Sequence, residues 1–269
     1  MKKYTPLFLL GGLLVILVGL VAVNFNKEAI DFTSSTRTIA GCNVGVVSID
    51  GSIDTNRADG QLDSLTIAQT IRSLGTENKK ALLVLIDTPG GTASAAEEIA
   101  RALDDVNLPT AALVRGRALS GGYWVAASTD HIIAQSTAMV GNIGVTSSYL
   151  EETELNKQKG YTFREITSGE YKEVGNVNKF LSTVHRQYLQ DRTNEIFKIF
   201  ESVVKVQRGL NQEELNRVAD GKFYIAEEAL RLRLIDEVGG IAETKAYLAK
   251  VLDVEPTNLL FGEPAKFGS

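Results

Sequence analysis

Cysteine is nearly absent from this sequence. Cys42 is the single one in 269 residues, so no disulfide can form within the chain. It reads as a small apolar residue at the start of a strand. Histidine occurs only at positions 131 and 185, and no Cys/His cluster has the spacing of a zinc site. Cations are not in excess: 28 Lys and Arg face 33 Asp and Glu, for a formal charge of −5, and no basic stripe runs through the chain. That argues against nucleic acid as a partner. Phosphate-loop signatures are missing, with neither GxxxxGK[ST] nor GxGxxG present, and the GxSxG elbow of an α/β-hydrolase is missing too. No cofactor is implied.

The apolar content is what a globular chain needs, at 44% against 23% charged. One stretch stands apart. Leu7 to Val23 carries no charge over 17 residues, roughly 26 Å if helical, near the lower limit for crossing a bilayer. The run exceeds the apolar core of a secretory signal, and Leu20-Val21-Ala22 matches a cleavage site poorly. The expectation is an uncleaved transmembrane anchor over residues 1–25. Lys2 and Lys3 precede it, which keeps the N-terminus cytoplasmic and places the rest on the outer face. Residues 26–41 are polar and read as a tether. The tail, 254–269, holds two prolines and reads as irregular.

Between tether and tail, apolar runs alternate with helical patterns. "CNVGVVSI", "ALLVLID" and "TAALVRG" read as strands, the second continuous enough to be buried on both faces. "LDSLTIAQTIRSL" and "TASAAEEIARALDDV" have helical periodicity. Residues 179–207 predict a long helix whose Phe180, Val184, Tyr188, Phe197, Phe200 and Val204 serve core or subunit contact. The alternation is that of an α/β fold.

Two diglycine loops follow successive strands: "DTPGG" at 87–91 and "ALSGG" at 118–122. In a parallel sheet both lie on the edge where such folds place their sites. One loop carries a hydroxyl, Ser120, and both carry bare amide groups. Acyl transfer needs that pair, a nucleophile and donors for the developing oxyanion, here the N–H groups of Gly91 and Gly121. The proton acceptor is open at this level. His131, His185 and lysines 157, 159, 172, 179, 198 and 205 all follow the serine. A lysine must lose its charge to act, so its site has to depress an ordinary value of about 10.4 by several units.

Four blocks of the chain resemble the signal peptide peptidase A family in its short, membrane-anchored form, serine peptidases of the ClpP/crotonase-like superfamily. They are "DTPGGTASAAEEI", "ALSGGYWVAASTDHIIAQSTAMVGNIGV", "ITSGEYKEVGN" and "DGKFYIAEEALRLRLIDEVGG", and the likeness spans about residues 42–250. It implies a ClpP/crotonase-like ββα superhelix over 42–253, preceded by one N-terminal transmembrane helix. It implies Ser120 as nucleophile, Lys172 as general base, and Gly91 and Gly121 as the oxyanion hole. It further implies a homo-oligomer whose serine and lysine can come from neighbouring subunits, and substrates such as signal peptide remnants and other unfolded or membrane-derived peptides. The chain departs from the pattern at Leu119, where alanine is usual, and at "GNVNKF" after the lysine. Two other readings stand beside this one: a crotonase-like acyl-CoA enzyme, and a catalytically idle membrane-linked scaffold.

Overall fold

Three apolar runs build the centre of the molecule. In the computed structural model, which describes residues 42–56, 61–265 and 267, they become β1 (Val44–Asp50), β4 (Ala81–Thr88) and β5 (Thr110–Leu119), hydrogen-bonded side by side and parallel. Strands β6 (His131–Ala134) and β9 (Glu237–Val238) extend the sheet beyond β5, also in parallel. Between the first two strands of this sheet lie the short parallel pair β2 (Ser52–Asp54) and β3 (Gln61–Asp63), and then α1 (Ser64–Thr76). Asp63 caps α1 by accepting the Thr66 N–H.

Alternation along β4 explains why its run is unbroken. Leu82, Val84 and Ile86 enter one apolar cluster and Ala81, Leu83 and Leu85 the other. The first cluster is closed by α1, by α2 (Ala93–Asp104) and by α3 (Gly121–Ala127). The second is closed by α8 (Ile241–Leu252) through Leu248 and Ala249, and by Leu259 from the tail. A strand sandwiched this way has no solvent face and no use for polar alternation.

The tail differs from the irregular segment that its prolines suggest. After a short 3₁₀ turn at Pro256–Asn258, it runs parallel to β1 as an added edge. Gly262 and Ala265 donate to the carbonyls of Val44 and Val46, and Ser48 donates to Ala265. The expected anchor and tether, residues 1–41, lie outside the described residues. No helix among the described residues is long and apolar enough to cross a membrane.

Strand β5 changes partners along its length. Ala111–Val114 pair with β6, whereas Arg117–Leu119 pair with β7 (Met139–Gly141). β7 in turn pairs antiparallel with β8 (Phe223–Ile225), ahead of α7 (Ala226–Arg231). The register against β4 also shifts between Ile86 and Thr88. This bend carries the end of β5 past the sheet and delivers Ser120 to the surface. A long helix, α5 (Thr183–Gln207), follows the small α4 (Thr153–Gln158), packs Phe200 on Trp124 of α3, and leads to α6 (Gln212–Val218). α5 begins four residues later than its pattern predicts, because Ser182 caps it by accepting the His185 N–H. Its apolar set divides: Phe200 and Val204 are buried, but Phe180, Val184 and Tyr188 are exposed.

Candidate active site

Ser120 sits at the joint between β5 and α3 with φ 52° and ψ −124°, a backbone region that costs an L-residue about 1–3 kcal/mol. Neighbours on three sides hold it there. Its N–H donates to the Gly141 carbonyl at 2.9 Å, and its carbonyl accepts from the N–H groups of Tyr123 and Trp124. The helix it leads into is wholly buried, from Gly121 to Ala127. Tyr123 donates its hydroxyl to the Leu234 carbonyl, and burial pushes that phenol far above its ordinary range. Trp124 stacks on Phe200 of α5, 5.0 Å between centroids.

Both glycines after the serine answer to space. A Cβ on Gly122 would lie 2.4 Å from the Thr88 side chain. Gly121 abuts the other loop: a Cβ there would lie 3.5 Å from the Gly91 amide nitrogen. On that loop Gly90 has φ +102°, and Gly91 is pressed so closely on Ile53 that a Cβ would lie 1.7 Å from its carbonyl oxygen. The Ile53 N–H donates to Gly90 and its carbonyl accepts from Thr92, so β2 clamps the loop from below. Among the described residues neither the Gly91 nor the Gly121 N–H has a hydrogen-bond acceptor. Two unsatisfied amides beside one hydroxyl form the geometry an acyl oxyanion requires.

These groups border a cleft of about 960 Å³. Trp124, Ile143, Phe197 and Phe200 give it an apolar wall, and Ser52, Asp54, Thr92, Asn142 and Asp220 a polar rim. Asn142, with φ 53°, donates its side-chain amide to the Gly221 carbonyl at 2.6 Å and so ties the β7 turn to the Asp220 loop. Sequence reasoning did not single out Asn142 or Asp54, and it assigned Phe197 to core or subunit contact rather than to a cleft wall. Only the positive φ of Asn142 had a signal, since Asn tolerates that region better than most residues.

The structure brings together Ser120, Gly91 and Gly121 but not Lys172. No histidine or lysine lines the cleft among the described residues. His131 begins β6 at the opposite end of that strand and stacks on Tyr247 at 3.9 Å. His185 lies on α5 against Tyr171. Lys179 pairs with Glu165, and Lys205 donates to Gln212. Lys172 itself is exposed, on a turn within 170–175. That segment is nonetheless well tied. Asn176 donates to Glu173 and accepts from the Asn178 N–H, Asn156 donates to Asn178, and the Glu152 N–H meets the Val177 carbonyl at 2.7 Å. The "GNVNKF" stretch therefore supplies the bonds that fix the lysine's loop.

Residues 102–255 match the family described as Peptidase family S49. The chain belongs to this family. The S49 match takes in both Ser120 and Lys172. A protease-named chain of Methanocaldococcus jannaschii is 30% identical over 253 residues, 89% of this chain and 79% of its own. The chloroplastic serine protease SPPA of Arabidopsis thaliana is 27% identical over 76% of this chain and 31% of its own length. An Enterococcus faecium chain that carries the name signal peptide peptidase SppA is 27% identical over 60% of this chain and 47% of its own. This S49 chain is accordingly a serine protease similar to SppA, and its α/β fold with a mostly parallel sheet fits the ClpP-like class. The acyl-CoA reading gives way to this assignment.

Proposed function

We propose that this S49 chain is a membrane-anchored serine endopeptidase with a Ser120/Lys172 dyad assembled between neighbouring subunits. It would degrade cleaved signal peptides and other unfolded or membrane-derived peptides. The observation that carries the proposal is the cleft itself: a strained serine, two free amides, an apolar wall, and no histidine or lysine among the described residues that line it. A second copy of the chain is the natural source of the missing amine. The segment bearing Lys172 displays Leu150, Tyr161, Phe163, Ile166, Phe180 and Val184, all exposed in the single chain. So much apolar surface on one arm is characteristic of an interface. Covering it would also remove water from Lys172 and depress its basicity, as a neutral general base requires.

The chemistry then follows from these groups. Neutral Lys172 accepts the Ser120 proton as Oγ attacks the peptide carbonyl. The Gly91 and Gly121 amides donate to the oxyanion. The lysine ammonium protonates the departing amine, and water, deprotonated by the same amine, hydrolyses the acyl-enzyme. The expected anchor would hold the cleft near membrane-bound remnants and raise their effective concentration.

Two measurements test this. A serine-reactive phosphonate probe should label the peptide that contains Ser120 and no other. Ser120→Ala and Lys172→Ala chains should each be inactive alone, and mixing them with subunit exchange should restore a fraction of wild-type peptidase activity. Lack of any recovery after verified exchange removes the shared dyad; absence of labelling with intact folding favours the idle scaffold.

A further inference from the structure

The rim of the cleft carries charge of one sign. Its described lining residues include two acids, Asp54 and Asp220, and no Lys, Arg or His. Asp220 is compensated: its two oxygens accept from the Nζ and the N–H of Lys222, and these bonds hold its carboxyl below the usual range. Asp54 is different. Its Oδ1 accepts from the Thr55 N–H at 2.6 Å, and from the hydroxyls of Thr55 and Thr92 at 3.4 Å. Its Oδ2 accepts nothing, and no cation pairs with it among the described residues. One oxygen fixes the side chain, and the other remains an acceptor on the cleft.

The position of Asp54 is fixed as firmly as that of the oxyanion loop. The preceding residue, Ile53, bonds to both Gly90 and Thr92. Asp54, Gly91, Ser120 and Gly121 line the same cleft, so a peptide seated with its carbonyl on the two glycine amides would share that space with this carboxylate.

We propose that Asp54 is a specificity-determining residue that favours substrates with a lysine or arginine flanking the scissile bond and disfavours those with an acid there. This rests on the peptidase reading of the same cleft. A carboxylate shielded from water by the bound peptide attracts a cationic side chain and repels an anionic one. A purely structural role, linking β2 to the start of α2, would survive Asp54→Asn, because the amide oxygen still accepts from Thr55 and Thr92.

The experiment uses the full chain in detergent micelles and fluorogenic peptides that differ only in a single Lys, Gln or Glu, scanned across positions on both sides of the cleaved bond. At one position or more, kcat/KM for the Lys peptide should exceed that for the Glu peptide by roughly fivefold to tenfold at low salt. Added salt should shrink the ratio. Asp54→Asn should bring it close to one, Asp54→Glu should keep it, and Asp105→Asn, which removes a carboxylate outside the cleft, should leave it at the wild-type value. Fluorescence anisotropy on Ser120→Ala protein should give Kd values in the same order. A wild type with no preference for Lys at any position, or a ratio untouched by Asp54→Asn, overturns the proposal. Binding that discriminates charge without any cleavage keeps the proposal and rejects the peptidase chemistry; cleavage without discrimination does the reverse.

Discussion

Gly91 and Gly121 look interchangeable in sequence and are not. A Cβ on Gly91 meets a carbonyl oxygen at 1.7 Å, so the clamp by β2 must open. A Cβ on Gly121 meets the Ala96 methyl at 3.1 Å, which a small shift of α2 relieves. Gly91→Ala should therefore lower kcat by about 10²-fold or more, as loss of an oxyanion donor does, and lower the melting temperature as well. Gly121→Ala should fold with a near-native melting temperature. Calorimetry beside steady-state kinetics checks both. The backbone of Ser120 was implicit in the two glycines that follow it, since "SGG" permits the close approach of α3 to β4. The strain at the serine itself had no marker of its own, because serine is common at helix starts in ordinary geometry.

At the scale of elements, Arg208 joins three of them. It caps the C-terminus of α5, donates Nε to the Arg233 carbonyl, and grips both oxygens of Asp236 at 2.7 and 3.0 Å. Asp236 also accepts from the Ile132 N–H of β6. Burial works against the Asp236 charge, but the bonds from Arg208 and Ile132 prevail and hold its carboxyl below the usual range. A carboxyl depressed in the folded state stabilises it above the unfolded value, about 3.9, and that contribution fades as pH falls through the folded value. Asp236→Asn should cost about 2 kcal/mol at neutral pH. Urea midpoints of the two proteins should converge as the pH falls below about 4. Elements with a clear apolar pattern were legible from their residues: β1 and β4, buried on both faces, and α1 and α2, buried on one, lie where that pattern puts them. β5 was foreseen only to Gly116, because Arg115 and Arg117 hide its last turn of pairing; Arg117 is neutralised by Asp87 at 3.1 Å and can stay in the strand. Strands of two or three residues, such as β2, β7 and β9, have too few side chains to show a period. Ser120, Gly91 and Gly121 were readable from their place after strands, whereas the place of Lys172 was not, since an exposed turn has no apolar period to locate it.

Across the whole molecule, the tail acts as an edge guard. β1 would otherwise present an unpaired row of backbone groups, a template for other strands. Removing the chain after Val254 strips the bonds to Val44, Val46 and Ser48 and uncovers the apolar cluster under Leu259. The truncated protein should melt several degrees lower and elute from size exclusion as larger, heterogeneous species, while a truncation after Glu263, which keeps the Leu260 and Gly262 contacts, should be milder. Among the described residues, the cleft sets no histidine or lysine beside the Ser120 hydroxyl. If the amine arrives only with a neighbour, a newly made protomer is latent: it travels among half-folded clients without harming them, its activity falls faster than linearly on dilution, and proteolysis is licensed by crowding rather than by synthesis.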